Sequence, residues 1–366
     1  MKHYDILIIG AGASGLAAAC TVKQERPELS VGLLDGNDRV GRKIYATGNG
    51  RCNLSNMAAP GVQYVLDFFG QLGLVTTADA EGRVYPASGE AADVVYVLEH
   101  FLKSRSADFL LHSEVTEIGQ SEEGFLVTTS KGKLTADKVL LAAGGKAGAQ
   151  YGSKGQGYRL AEHLDHHKTA VYPVLTGVET SFLVPMEQLA GCRADARVRL
   201  LCKGKPVFEE SGQVQFAKYG LSGIVLFNAS SFIRLEEEKT FEDYALELDL
   251  APQITEEDLT FRVAVNLQQG LNPLRGLVPH ALAEVLAPGG ESKEGTFIAR
   301  EPAAALAHRA KNAVFPVTGV RGWKMAQCTG GGIIEEEVSP DTMESLVCPG
   351  LYLAGEILAA ERRIKQ

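Results

Sequence analysis

The chain contains no Cys-x-x-Cys pair, no surplus of basic side chains, and no run of about 18 apolar residues free of charge or a glycine break. Each absence excludes something. The six cysteines, Cys20, Cys52, Cys192, Cys202, Cys328 and Cys348, are scattered through a chain long enough to fold without disulfide staples. They read as free thiols in a reducing compartment. With 36 Lys and Arg against 45 Asp and Glu, the formal charge is −9, which argues against a surface that neutralises phosphate backbones, so no nucleic-acid partner is expected. The lack of a long apolar run leaves no expected membrane span. The first residues, MKHYD, lead straight into a strand with no signal peptide before it, so the expected location is cytoplasmic.

What is present is glycine, 40 residues of it among 366, gathered in clusters that suggest tight turns against a ligand. The length suits two or three domains. Asp5–Ile9 is a continuous apolar run, as in a strand buried on both faces. Ser14–Glu25 is rich in helix formers, and Val31–Leu34 reads as a second strand ending at Asp35. This is one βαβ unit. Val62–Leu72 and Ala91–Ser104 read as helices, and Phe109–Ile118 with Gly124–Thr129 as antiparallel strands. Lys138–Ala143 reads as a further buried strand and Tyr158–His163 as a helix. Beyond about Tyr172 the texture changes to short alternating strands at Ala196–Cys202, Lys205–Glu209 and Tyr244–Asp249. Helical segments follow at Thr255–Gln269, His280–Leu286 and Ala303–Lys311, and a last buried strand at Leu351–Ala354. The expected class is α/β: a discontinuous Rossmann-type domain over 1–165 and 316–366, with a β-rich, barrel-like and helical domain inserted over 166–315.

The strongest motif is Gly10-Ala11-Gly12-Ala13-Ser14-Gly15, a full GxGxxG between strand and helix. The first glycine makes the turn, the second lets backbone approach a diphosphate, and the third lets helix pack on strand. The diphosphate then meets the positive end of the helix dipole. Asp35 lies about 20 residues beyond Gly15, where a carboxylate accepts hydrogen bonds from ribose hydroxyls. These residues specify a dinucleotide and leave FAD and NAD open.

The next segments carry a resemblance. Gly41-Arg42-Lys43 followed by Thr47-Gly48-Asn49-Gly50-Arg51-Cys52-Asn53-Leu54-Ser55-Asn56 resembles the "GRK…SGGGRCNxTN" signature of the HI0933-like (YhiN/BaiN-like) flavoproteins. Further segments resemble that family in order: Gly82–Pro86, Leu141–Gly145 with Gly152–Leu160, Gly220–Gly223, Val317–Gly322 through Ala326–Gly332, and Pro349–Glu356. The resemblance spans nearly the whole chain. It implies an aminoacetone-oxidase-like or NAD(P)/FAD-dependent oxidoreductase with FAD as cofactor. The substrate would be a small organic molecule exchanging hydride with flavin N5, with NAD(P)H or O₂ in the other half-reaction.

By position, the resemblance implies that Gly10, Gly12, Gly15 and Asp35 hold the ADP half. Lys43, Gly50, Arg51, Cys52 and Asn53 would follow the diphosphate and ribityl chain. Val115 would meet adenine through its backbone, and Ala143 and Gly144 would press on the nucleotide. Thr329, Gly331, Gly332, Gly355 and Glu356 would approach the ribityl and flavin end. No catalytic acid or base is readable.

Two departures from the family stand out. Only Met57–Pro60 joins Asn56 to the next helix, where the family has a longer stretch. After Glu356 the chain runs to Ile357–Gln366 in place of the family's Asp/Gly-rich turn and last helix, with Ile357–Arg363 expected as a short substitute helix. That departure keeps a second reading open, a shortened non-catalytic copy that binds FAD weakly or not at all. Weaker signals have plainer readings. Glu236–Glu238 and Glu335–Glu337 are expected to be solvated faces. His163, His166 and His167 are expected to be solvated histidines at a helix end, not a metal site. Gly152–Gly157 is expected to be a turn into a helix.

Overall fold

In the computed structural model, which describes residues 1–235 and 239–359, the chain forms two compact units. One comprises Met1–Val171 with the segment from Cys328 onward; the other is Tyr172–Gln327.

The first unit is built on a seven-stranded sheet. Strand β1 (Lys2–Ile9) pairs in parallel with β2 (Val31–Leu34), in the register Ile6 opposite Val31 to Ile9 opposite Leu34. Its other neighbour is Gly132–Leu141, also parallel. All of β2 is buried, as a central parallel strand covered on both faces must be. Between β1 and β2 runs α1 (Ala13–Glu25), which buries Leu16, Ala19 and Cys20. The helix Ala91–Ser104 presents Ala91, Val94, Val95, Leu98 and Leu102 to the same layer, a 3–4 spacing that places them on one stripe. Leu351–Leu353 adds a parallel strand beside Gly132–Leu141, so the end of the chain completes the first sheet.

The segment expected as one antiparallel strand over Phe109–Ile118 is divided. Asp108–Leu110 lies parallel to β2, and Val115–Ser121 is antiparallel to Gly124–Thr129. The break falls at His112, whose φ of +53° cannot continue a strand.

The second unit is a closed antiparallel barrel of six strands: Val178–Thr180, Gly220–Ser222, Lys205–Ala217, Arg193–Cys202, Tyr244–Asp249 and Ala313–Val320. Alternate residues point inward and fill it, among them Val198, Leu200, Val214, Phe216, Leu246, Leu248 and Phe315. Phe315 lies face to face with Phe182 at 4.0 Å. The helices Glu256–Gln268, His280–Leu286 and Ala303–Lys311 share this core. The strand Ala313–Val320 pairs with Tyr244–Asp249 on one side and Val178–Thr180 on the other. Residues 316–327, grouped by sequence with the first unit, therefore fall in the second, because that strand closes the barrel.

Two residues, His166 and Glu337, depart from expectation, while His163, His167, Glu335 and Glu336 are exposed as expected. The helix Gln156–Glu162 stops before the histidines. His166 is buried and not solvated, with Nδ1 3.1 Å from Glu337 Oε2 and Nε2 2.9 Å from Ser345 Oγ. Glu337 also accepts from the His167 amide at 2.8 Å and lies 2.6 Å from His167 Nδ1, so it is not a solvated face. Glu236–Glu238 lie outside the described residues. No metal-binding group of His, Cys, Asp or Glu occurs among the described residues.

Burial opposes ionisation of Glu337, but the hydrogen bonds from His167 and His166 outweigh it and hold the carboxyl below its ordinary 4.5. A depressed carboxyl stabilises the fold fully above its unfolded pKa, and that contribution is lost as pH falls through the folded value. Glu337→Gln is therefore expected to cost about 1–2 kcal/mol at neutral pH and to flatten the acid limb of stability below about pH 4.5. Urea unfolding midpoints measured from pH 7 to pH 3 check this; a variant whose acid limb matches that of the parent overturns it.

Candidate functional site

The turn after β1 is forced by close packing. Gly10 has φ +108°, and a Cβ there would run into the Ala142 carbonyl. A Cβ on Gly15 would strike the Gly10 carbonyl oxygen. Gly12 differs. Its backbone angles, φ −84° and ψ −167°, suit any residue, and a Cβ there meets nothing within 4 Å. Gly12 is also the N-cap of α1, with no side-chain cap, so the first-turn amides are left for a ligand.

These residues open onto a cavity of about 410 Å³ lined wholly by the first unit. Asp35 forms part of its wall. Its Oδ2 accepts the Ala11 amide at 2.9 Å, and its Oδ1 accepts the Asn37 backbone and side-chain N–H groups at 2.8 Å each. A carboxylate has about four acceptor sites, so capacity remains for ribose hydroxyls. Arg42 Nη1 donates to Asn37 Oδ1 at 2.8 Å, which sets a guanidinium on the same wall. The Gly41 amide donates to the Ala11 carbonyl at 2.8 Å and ties this loop to the glycine turn.

Across the cavity, Lys43 Nζ lies 2.7 Å from Glu356 Oε2, and Glu356 Oε1 accepts the Thr329 amide at 2.6 Å. Both side chains are about one-quarter exposed and both line the cavity. Thr329 Oγ1 accepts the amides of Lys146 and Ala147, which ties the loop after Gly132–Leu141 into the junction. Burial first, then the charge of Glu356, pushes the Cys328 thiol up to about 11 against the opposing pull of Lys43. Burial and Glu356 likewise raise the Tyr158 phenol.

The motif between Thr47 and Asn53 is shaped by left-handed backbone. Gly48, Asn49, Gly50 and Cys52 have φ of +56°, +56°, +85° and +59°. The resulting coil directs Cys52 and Asn53 to the cavity and Arg51 away from it. Cys52 is buried, which raises its thiol, while a hydrogen bond with Thr47 lowers it.

Of the residues expected from sequence, Gly10, Gly12, Ala13, Ser14, Asp35, Lys43, Cys52, Asn53, Val115, Ala143, Gly144 and Glu356 line one cavity. The others sit elsewhere. Gly15 packs on Gly10. Gly50 faces open space, and Arg51 is exposed with its guanidinium 4.2 Å from the centre of the Tyr85 ring. Thr329 holds Glu356 from behind. Gly331 packs on Thr169 and Ala170, Gly332 on Ile357–Ala359, and Gly355 on the Ser14 hydroxyl. Ile357–Ala359 forms a turn and a bridge from Leu358 to Ile333, not a helix; the rest of the expected substitute helix lies outside the described residues.

Sequence reasoning missed Arg42, Asn37 and the loop Tyr151–Lys154 with Gln156. Arg42 stands in the same Gly-Arg-Lys motif as Lys43, which was the available signal. Gly152–Gly157 is indeed a turn into a helix, and it is also cavity wall, with Gly152 against the Asn37 side chain. The amide row at an uncapped helix start, the acceptor Asp35 and the cations Arg42 and Lys43 fit a dinucleotide diphosphate with its ribose.

The family described as the HI0933-like protein Rossmann domain matches residues 61–363. The chain belongs to the HI0933-like family. It is a family of FAD-dependent oxidoreductases. The 3-dehydro-bile acid delta(4,6)-reductase of Clostridium scindens is 33% identical over 386 aligned residues, covering 97% of this chain and 92% of that one. The ribosomal RNA dihydrouridine synthase of Escherichia coli is 26% identical, covering 98% and 92%. Among solved structures, the open conformation of a flavocytochrome c3 fumarate reductase aligns with all of this chain and 74% of its own, at 16% identity and a TM-score of 0.46. No helix among the described residues of this HI0933-like chain is long and apolar enough to cross a membrane.

Proposed function

We propose that this chain binds FAD in the first-unit cavity and uses it to reduce a carbon–carbon double bond conjugated to a carbonyl group in a small organic molecule. The observation that carries the cofactor reading is Gly12: a relaxed backbone with open space at its Cβ, at an uncapped helix start beside Asp35. Neither the backbone angles nor the packing requires glycine there. What glycine gains is closeness to a diphosphate.

In this reading the amides of Ala13 and Ser14 donate to the diphosphate. Asp35 accepts from the adenosine ribose, and Val115 meets the adenine. Arg42 and Lys43 offset the phosphate charge, and Asn53 donates toward the ribityl chain. Ala143, Gly144, Cys52 and Glu356 line the remaining wall. Bound FAD supplies a two-electron carrier that gives hydride from N5. NAD(P)H is the reductant assigned to it.

The choice of reaction draws on the relatives. One relative's name denotes saturation of a conjugated ring ketone, the other's saturation of the ring double bond of uridine. Both are reductions of a double bond conjugated to a carbonyl. The formal charge of −9 favours a small substrate over RNA.

The test is the visible spectrum of the purified protein. A flavin band is expected that NADH or NADPH bleaches without oxygen and that a 3-keto-4-ene steroid restores. A colourless protein that takes up no added FAD overturns the cofactor reading and favours the non-catalytic alternative. Bound, reducible flavin that RNA reoxidises and the steroid does not overturns the substrate class.

A further inference from the structure

One wall of the dinucleotide cavity is built unlike the rest. Tyr151–Lys154 and Gln156 form it, between the strand Gly132–Leu141 and the helix Gln156–Glu162. Ala147 and Gly148 before this wall are buried, and so are Gly157 and Tyr158 after it. No residue from Ala149 to Gln156 is buried. Such a stretch opens at low cost, because few apolar contacts are lost when it does.

The change in burial falls close to two glycines. Gly148 has φ +71° and ψ 42°, and Gly155 has φ +81° and ψ 20°, both left-handed. A hinge must absorb a large change of backbone angles, which glycine does most easily. Beyond the hinges the chain is fixed. Thr329 Oγ1 accepts the Ala147 amide at 3.0 Å on one side, and Tyr158 is held in the core on the other. Between the hinges the bonds are local. The Tyr151 and Gly152 amides donate to the Gly148 and Ala149 carbonyls, and the Lys154 amide donates to Gln156 Oε1.

Asn37 meets this segment from the adjoining wall. Its backbone is pinned, with the amide donating to Asp35 Oδ1 at 2.8 Å and the carbonyl accepting the His112 amide at 2.9 Å. Its side chain reaches three ways. Oδ1 accepts from Arg42 Nη1 at 2.8 Å, while Nδ2 donates to Asp35 Oδ1 at 2.8 Å and to the Tyr151 carbonyl at 3.4 Å. A cation on one side and two acceptors on the other admit only this orientation of the carboxamide. At Gly152, with φ +104°, a Cβ would lie 2.4 Å from Asn37 Nδ2, so glycine lets the segment come down onto the side chain. Lys154, two residues on, lines the cavity and pairs with no carboxylate among the described residues.

We propose that residues 148–155 form a strap over the bound dinucleotide, hinged at Gly148 and Gly155 and latched by Asn37, and that the latch sets how long the cofactor stays. This inference rests on the cofactor reading above and adds its regulation. The long hydrogen bond to Tyr151 is weak enough for the strap to open. A diphosphate in the cavity attracts the free ammonium of Lys154, and a ribose bound to Asp35 fixes the carboxylate that orients Asn37. Cofactor and strap then hold each other. Asn37 is a positioning residue, acting through the strap, Asp35 and Arg42.

The experiment digests the protein with trypsin, with and without saturating FAD, and compares the cut after Lys154 with the cut after Lys131. Both lysines are exposed and precede glycine, and Lys131 stands on a hairpin turn of the same unit, so it reports any general stabilisation by FAD. FAD is expected to slow the cut after Lys154 about 10-fold more than the cut after Lys131, the scale of one or two hydrogen bonds. Asn37→Ala is expected to abolish that difference and to release FAD about 10-fold faster in a fluorescence chase. Asn37→Asp keeps the shape and the acceptor for Arg42 but turns the donor to Tyr151 into an acceptor, and should act like Asn37→Ala; a packing role alone would leave it like the parent. The parent's own cleavage ratio decides the matter should a variant fail to fold. A ratio that FAD does not change overturns the strap and leaves the cofactor reading standing. Variants that keep the parent's ratio and release rate overturn the latch. A parent protein that takes up no FAD overturns the cofactor reading, and this inference with it.

Discussion

Gly12→Val is expected to fold like the parent and to lose FAD, whereas Gly15→Ala is expected to fail at the level of the fold. The two glycines are three residues apart in one motif, and their opposite outcomes follow from what a Cβ would meet. At Gly12 it meets nothing within 4 Å, and the backbone angles are ordinary. The stability change should stay within about 1 kcal/mol, the scale of placing a branched residue at a helix N-cap. The branched side chain, however, takes the space in front of the first-turn amides. Charge-assisted hydrogen bonds to a phosphate contribute about 1.5–3 kcal/mol each, so losing two weakens FAD by roughly 100-fold or more. At Gly15 the added carbon falls on the Gly10 carbonyl oxygen, and neither the helix nor the strand can yield. Overpacking of that kind costs about 3 kcal/mol or more. Fluorescence titration with FAD and urea unfolding of both variants separate the effects. Unchanged FAD affinity in Gly12→Val would remove the diphosphate from this turn.

The same contrast explains what was legible in advance. The placement of Gly10, Gly12, Gly15 and Asp35 about one turn is a local consequence of a strand, a turn and a helix within 35 residues, so spacing alone makes it legible. Lys43 and Arg51 were expected to share the phosphate charge, and only Lys43 faces the cavity. The cation beside it is Arg42. What decides between the two arginines is the left-handed coil Gly48–Cys52 and the capture of Arg51 by Tyr85, which stands on the strand Arg83–Pro86 far along the chain. No reading of residues 41–56 contains that ring. Thr329, Gly331, Gly332 and Gly355 were expected at the flavin end by resemblance. The structure ties Thr329 to Lys146, Ala147 and Glu356 and packs the three glycines against 169–170, 357–359 and Ser14, contacts made only once the distant segments have met. The strand Ala313–Val320 was hidden by Pro316 and Gly319, which read as breakers. Its alternating burial and the closure of the barrel override that local signal.

The junction of Lys43, Glu356 and Thr329 allows a test with opposite signs. Glu356→Gln and Lys43→Met should each destabilise the protein by about 1–2 kcal/mol, since each leaves a partly buried partner unmatched while solvent still screens the pair. Stability alone would not distinguish an ion pair from packing. Cys328 does. Its thiol stands at about 11 because burial and the Glu356 carboxylate disfavour the thiolate, while Lys43 favours it. Removing the carboxylate charge must therefore lower that value, although burial keeps it above the ordinary 9.0. Removing the ammonium must raise it. The rate of Cys328 alkylation against pH, read at that peptide by mass spectrometry, is expected to shift to lower pH in Glu356→Gln and to higher pH in Lys43→Met. A shift of the same sign in both variants would mean that the two side chains act on Cys328 through packing, not through their charges. The ends of the chain would then be joined at this cavity by shape alone.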